Sequence, residues 1–360
     1  MYDILNYIWD VLLIIFTIAT CNTIGANKYL VIILLSILLL CLGRKKKWDP
    51  WTLLLLSMPM FTYLIFGGVS TFLSGGIQTT TIKVVLFWCV PFLFSFALYV
   101  YYGEKMCRIV DLQFASCSIL YAIPKARLII ESGVAESTFA FVFGLYVIYY
   151  FYKKNWICTA LAMILMYWSD KRIVMLAAGI GILIMIFVKI FKNHKGLIVA
   201  IWGCVSCFVL IYIWLICSGT LNYFCQGIGI NTNGRLKMYS NMMEWFHESI
   251  MISGNGLGIV EKILECWNVY AFNNLHNDLL KFYIEIGVLG LCFYLISYGV
   301  VLWLTEKKYG NNVISLLLST FIYSIVLFAT DNVSIYILYL IPLYSIYFAV
   351  LAKKEKRVVV

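Results

Sequence analysis

The sequence predicts an all-α polytopic membrane protein with about 12 transmembrane helices and one large extracytoplasmic loop between helices 9 and 10. Three observations lead there. Of its 360 residues 63% are hydrophobic and only 12% charged, with a mean hydropathy of +0.92, more apolar surface than a soluble chain of this size can bury. Apolar runs near the length needed to cross a bilayer, about 20 residues, recur from one end to the other. Finally, Lys and Arg collect in alternate connections between these runs.

Taken in order, the first run is 4–24, and the second, 28–43, is short and leads into Arg44-Lys45-Lys46-Lys47. Next come 51–67 and 83–102, the latter followed by the connection Lys105 to Arg108, and then 106–123. The run 137–152 leads into Lys153-Lys154, and 155–169 is again short. The run 173–190 leads into Lys189 to Lys195, and 197–217 precedes the long polar segment. Beyond it lie 279–304 with Lys307-Lys308, then 313–329, then 333–351 before the basic tail Lys353 to Arg357. Lipid offers the backbone no hydrogen-bond partner, and the runs lack the alternation of barrel strands, so each is read as a helix.

The basic connections hold most of the 27 Lys and Arg residues in short loops on one side, which is therefore cytoplasmic, with both termini on it. The first run lacks the basic flank and cleavage site of a secretory signal, so it is expected to be retained. The net charge of +10 thus reflects topology and not a nucleic-acid partner. The Arg44 run is read as an anchor against anionic lipid. The 12 cysteines fall mostly in apolar runs, where a thiol acts as a small hydrophobe. Cys225 and Cys266 share the external loop and could pair in an oxidising compartment. There are 3 histidines, at 194, 247 and 276, and no ligand-spaced Cys/His cluster, P-loop or Asp-x-Asp pair. Neither a metal nor a cofactor is expected.

The chain reads as a single membrane domain, 1–360, whose one large extramembrane segment is 218–278. Two turn-rich patches lie in it, Gly227 to Gly234 and Ser253 to Gly258. Between them Leu236, Tyr239, Met243, Phe246 and Ile250 draw one apolar stripe on a helix, expected against the membrane surface or the bundle mouth. Loops this long are often functional. Cations are depleted outside, so Lys125 with Arg127, Lys171 with Arg172, Arg235 with Lys237, and His276 want a cause. Guanidinium groups grip divided anionic oxygens such as a diphosphate through forked hydrogen bonds. Arg127 and Glu131 are spaced to pair along a helix.

His276 stands where the polar segment meets the tenth run, and its imidazole can take a proton from a hydroxyl near neutral pH. Glu285 follows inside that run, where an ionisable group is costly and usually has a use. On a straight helix it lies about half a turn off the His276 face. It is therefore expected to brace another helix or an arginine, while Gly287 and Gly290 allow close helix contact.

The stretch from His276-Asn277 through Glu285-Ile286-Gly287-Val288-Leu289-Gly290 resembles the signature of the O-antigen ligase and polymerase superfamily. That signature is a His-Asn/Ser pair, a few apolar residues and Glu-x-Gly-x-x-Gly. Ser169-Asp170-Lys171-Arg172 resembles in part its Ser-x-Ser-Arg-like motif, with Lys171 where a serine is common. Arg235 opens the external helix as the family's loop arginine does, and Gly254-Asn255-Gly256-Leu257-Gly258 is similar to its glycine patch. Arg127 with Glu136-Ser137 resembles a further external element of polysaccharide polymerases. The resemblance covers roughly Arg127 to Gly290 and is nearest to a bacterial O-antigen or capsular polysaccharide polymerase.

That resemblance implies glycosyl transfer with inversion and without metal, on the outer face of the bacterial cytoplasmic membrane. A growing glycan would pass from its polyprenyl-diphosphate carrier to a sugar hydroxyl of another lipid-linked repeat unit. Arg172 and Arg235 would hold the diphosphate and offset its charge, and His276 would activate the acceptor. Lys171, Arg127, Glu136, Lys237, Gly256, Asn277 and Glu285 are the expected substrate-binding residues. Partners would be the polyprenyl-diphosphate-linked oligosaccharide and membrane lipids, with a chain-length regulator and a flippase alongside. A ligase moving finished glycan to lipid A core or protein would carry the same residues. A transporter of lipid-linked sugars would need interrupted helices in matched halves, where the sequence offers only isolated Lys83, Pro91 and Glu285.

Cysteine labelling or reporter fusions at Thr232 and Lys307 are expected to report opposite sides of the membrane. Finding both on one side would overturn the topology and the external site with it.

Overall fold

Each apolar run closes into a helix because its own backbone is the only hydrogen-bond partner at that depth. The computed structural model describes residues 2–23, 25, 27–43, 49–191, 196–229, 234–246, 251–267 and 274–352. Arg44 to Lys47, Lys192, His194, Lys195, the 230–233 centre of the first turn patch, His247, Ile250 and the tail from Lys353 lie outside the described residues. Among the described residues there are helices and no strands. The first nine helices are α1 (Tyr2–Cys21), α2 (Asn27–Gly43), α3 (Pro50–Leu73), α4 (Thr79–Tyr102), α5 (Met106–Ser132), α6 (Phe139–Lys153), α7 (Trp156–Trp168), α8 (Arg172–Ile190) and α9 (Leu197–Cys217). Three short ones occupy the long polar segment: α10 (Thr220–Gly227), α11 (Arg235–Trp245) and α12 (Ile259–Cys266). The bundle closes with α13 (Asp278–Tyr309), α14 (Asn311–Phe328) and α15 (Ile337–Ala352). By length and composition 5 helical stretches suffice to cross a membrane, one of them, Thr79–Ser132, covering both α4 and α5; the remaining apolar helices are shorter.

Local chemistry fixes several ends. Asp49 caps α3 by accepting the Trp51 N–H at 3.1 Å, and Pro50 fills the first helical position, where no N–H is needed. Asn155 caps α7 by accepting the Cys158 N–H at 3.2 Å. Helix α5 continues through Pro124, well past the expected end at 123, and so carries Arg127 and Glu131.

Every residue of α15 is buried, and so is α6 from Phe139 to Tyr150, so these two form the centre of the bundle. Helices α2, α8 and α9 are also apolar all round but leave Leu34, Leu183 and Phe208 exposed, as suits helices whose outer neighbours are acyl chains. One end of the bundle gathers basic groups with their partners: Lys308 to Asp49 at 2.6 Å, Arg108 to Asp10 at 4.0 Å. The segment between α9 and α13 lies at the other end. In it Leu236, Tyr239 and Met243 are buried as the stripe requires, joined by Met238 and Met242, and α11 packs on α9. Cys225 and Cys266 are both free thiols.

The tenth apolar run departs from the expected straight helix over 279–304. Gly287 adopts φ 71°, ψ 177°, which interrupts α13. The Phe282 and Tyr294 ring centroids lie 5.4 Å apart, although a dozen residues of unbroken helix would climb about 18 Å. The half-helix 278–286 therefore folds back beside the half 288–309, and Tyr63 of α3 touches both, 5.0 Å from Phe282 and 6.2 Å from Tyr294. Among the described helices α13 alone has such an interior break, so the matched interruptions of a two-halved transporter are not seen.

Candidate functional site

The site is organised by the turn that joins α14 to α15. Its Asp331 side chain is only 7% exposed, and a buried carboxylate has to be met by charge or by donors. Oδ1 accepts the Asn332 N–H at 2.8 Å and faces His276 Nδ1 at 3.3 Å, while Oδ2 faces Lys171 Nζ at 3.6 Å. Burial pushes the carboxyl upward, but the His276 hydrogen bond, the Asn332 N–H and the Lys171 charge outweigh it and hold it below its usual range.

Other elements grip the backbone of the same turn. Arg235 Nη1 donates to the Thr330 carbonyl at 2.8 Å, and the Tyr212 hydroxyl donates to Ala329 O at 2.8 Å. The Asp278 N–H donates to Asp331 O at 3.3 Å, and the Asp278 carboxylate accepts both the N–H and the hydroxyl of Ser334 at 2.7 Å. His276 is thereby delivered from the opposite side. It holds a left-handed φ of 54°, uncommon for a residue with a side chain. Its carbonyl accepts the Tyr239 hydroxyl at 3.0 Å. Burial keeps the Tyr239 phenol far above its usual range, so it serves as a neutral donor. Asn277 Oδ1 accepts the Leu280 N–H at 3.0 Å, capping the half-helix, and Nδ2 donates to Tyr212 Oη at 3.0 Å.

Lys171 carries the network outward. Its ammonium meets Glu136 at 3.1 Å as well as Asp331, and stands 5.3 Å from the centre of the Phe141 ring. Glu136 is brought there because the chain after α5 pairs with the end of α7, Ala135 N–H to Trp168 O at 2.7 Å and Ser137 N–H to Ser169 O at 3.3 Å.

Of the residues singled out in the sequence, His276, Arg235, Lys171, Glu136 and Asn277 thus converge on one turn. Arg172, next to Lys171, is exposed and makes no ion pair among the described residues. Arg127 lies outside the cluster, paired with Glu131 at 2.7 Å in the manner its spacing allowed, with its side chain 87% exposed. Lys237 is exposed on α11 and does not join. Gly256, named among the expected substrate-binding residues, packs closely against Thr71 and Ser74. Its N–H is spent on Glu285 O at 3.1 Å, the Leu257 N–H on Thr71 Oγ1 at 2.9 Å and the Gly258 N–H on Glu285 Oε1 at 2.8 Å. Glu285 braces another helix and not an arginine: it is fully buried, bonded to the Tyr63 hydroxyl of α3 and to the Gly258 N–H.

Asp331 was missed in the sequence, as were Tyr212 and Asp278, and Tyr239 was read only as part of the apolar stripe. The available signal was the triplet Thr330-Asp331-Asn332, a polar island between two apolar runs on the side of His276. Among the described residues no three His, Cys, Asp or Glu side chains come together as a metal-binding group.

Residues 157–295 match the family model described as O-antigen ligase. The matched stretch holds Lys171, Arg172, Arg235, His276 and Glu285 and stops short of Asp331. It supports the O-antigen ligase/polymerase superfamily that the motifs resemble, and implies a glycosyltransferase-like enzyme of O-antigen assembly. No curated protein matches the chain.

Asp331→Asn is expected to lower stability by about 1–3 kcal/mol at neutral pH, because it removes the buried anion that His276 and Lys171 share and leaves Lys171 only Glu136. The sign follows from the depressed carboxyl: its contribution is complete above about pH 4 and is lost as pH falls through the lower folded value. Thermal melts of both proteins in detergent should therefore differ at pH 7 and converge on acidification. Equal melting at pH 7 would remove Asp331 from the centre of the site.

Proposed function

Taking that kinship as the premise, we propose that this protein is a membrane glycosyltransferase that polymerises polyprenyl-diphosphate-linked oligosaccharide repeat units. The work is done on the outer face of the bacterial cytoplasmic membrane, with both termini inside. The observation that carries the reading is that His276 and Arg235, far apart in the segment between α9 and α13, meet on one turn, Thr330-Asp331.

The chemistry follows from those groups. With its Nδ1 proton directed at Asp331, the imidazole of His276 has Nε2 as its basic nitrogen. Nε2 takes the proton of the acceptor hydroxyl as that oxygen attacks the anomeric carbon. The bond from that carbon to the carrier phosphate breaks on the opposite face, and the configuration inverts. Charge grows on the departing diphosphate, where the Arg235 and Arg172 guanidiniums offset it. Arg235 is steadied by its bond to Thr330 O, and exposed Arg172 has its donors available. Lys171 is committed to Asp331 and Glu136, so its part is to fix the carboxylate behind His276.

A lipid carrier suits the shape of the bundle. An almost wholly apolar cavity of about 1330 Å³ lies between α9 and α13, lined by Trp202, Leu210, Ile296 and Gly299 among others and running from Leu210 down to Gly196 and Lys307 at the basic end of the bundle. Leu210 precedes Tyr212 on α9, and the Tyr212 hydroxyl meets Asn277 beside His276. A prenyl tail in that cavity would leave its diphosphate toward the two arginines.

His276→Ala, Arg235→Ala and Arg172→Ala should each cut turnover by on the order of a hundredfold while the protein still accumulates in the membrane. Lysine at either arginine should rescue poorly, since one ammonium cannot copy a forked contact. Near-normal activity in all three alanine variants would sink the assignment.

Purified protein given only lipid-linked repeat units is expected to form products of two or more units, undiminished by chelator. Failure to form them, with transfer once a different acceptor is added, would make it a ligase. Chelator inhibition reversed by a divalent ion would refute the metal-free chemistry.

A further inference from the structure

We infer that Glu285 and Gly287 are positioning residues that keep α13 folded back on itself, with the external loop 251–258 stitched into the break, and so set where His276 stands. The step from that geometry to catalysis rests on the function proposed above.

Interrupting a helix strands the carbonyls before the break and the N–H groups after it. Here the loop takes them up. The Asn255 N–H donates to Ile284 O at 2.8 Å and the Gly256 N–H to Glu285 O at 3.1 Å. In return Val288 and Leu289 donate to Met251 O at 2.8 Å and Ile252 O at 3.3 Å. The loop is also fastened to α3 and α4, by Ser70 to Ser253 O and by Thr81 Oγ1 to Leu257 O at 2.8 Å.

Two side-chain choices make this possible. At φ 71° with extended ψ, Gly287 occupies a region essentially closed to other residues. A Cβ there would collide with Ile252 O and stand 2.5 Å from Gly254 N. Glu285, fully buried, then pins the far end of the loop through the Gly258 N–H at 2.8 Å and ties it to α3 through Tyr63.

The consequence reaches His276 through the half-helix. Were α13 continuous, Asn277 would stand about 15 Å beyond residue 287 along one axis. The fold-back instead seats Asn277 on Tyr212 and Asp278 under Ser334, and His276 arrives at Asp331. Glu285 touches none of the reacting groups, so its influence is through place and not through charge.

The test uses purified full-length protein in detergent. Amide exchange in wild type should be slow over 251–258 and 284–289 together, and Glu285→Ala and Gly287→Ala should each raise it in both stretches. Exchange unchanged in the alanine variants would overturn the stitching. In turnover, Glu285→Ala should lower kcat about a hundredfold, with KM for the lipid-linked donor moved by less than about threefold. Glu285→Gln should regain most of the loss, because its amide oxygen still accepts the Gly258 N–H. A Gln variant as inactive as Ala would mean the charge itself is used. A KM effect without a kcat effect would mean that Glu285 meets substrate. Either result overturns the positioning role. If wild type transfers no glycan, the proposed function fails by itself, and the exchange data still decide the fold-back.

Discussion

A carboxylate almost out of water needs compensation from its surroundings, and the architecture of the site follows from meeting that need at Asp331. One side of the group is met by a lysine at the start of α8, the other by a histidine that ends a loop 55 positions earlier in the chain. Opposite charge and hydrogen bonding prevail over burial there, which is the condition for keeping an ionised group in such a place. The backbone on either side of Asp331 is bound by Tyr212, Arg235 and Asp278. Four separate stretches of chain thus agree on the position of one turn.

A second constraint, backbone satisfaction, shapes the other half of the site. Non-helical backbone survives at membrane depth only when protein supplies its partners. The break at Gly287 would be intolerable without the loop between α11 and α12, and that loop would have no reason to enter the bundle without the break. Each is the other's hydrogen-bond partner. The buried Lys281, bonded to Glu261 on α12, adds a charged tie between the same two regions.

Much of this could be read from the chain. The helices were legible because each long apolar run has one way to satisfy its backbone in lipid. His276, Arg235 and Lys171 were legible because a cation outside, against the usual charge bias, needs a reason. Arg127 met the same standard and Gly256 was singled out by its glycine patch, and only geometry sets both apart: Arg127 has a partner one turn away, and Gly256 packs against Thr71. Asp331 escaped because its meaning lies in residues far away in sequence, with nothing local to mark it except two polar neighbours. Gly287 was noticed but read as a contact glycine, since a sequence pattern shows that a side chain is absent and not which way the backbone turns.

The complete burial of α15 carries a consequence for how the molecule is made. Chains emerge from the ribosome with their N-terminal parts first, so the helices that surround Ile337–Ala352 are all synthesised before it. The partners of Asp331 and Ser334 likewise exist before those two residues do. The earlier helices therefore have to remain loosely associated, with their inward polar groups provisionally satisfied, until this central helix arrives among them. The arrival of α15 is the event that both closes the core and completes the cluster around Asp331.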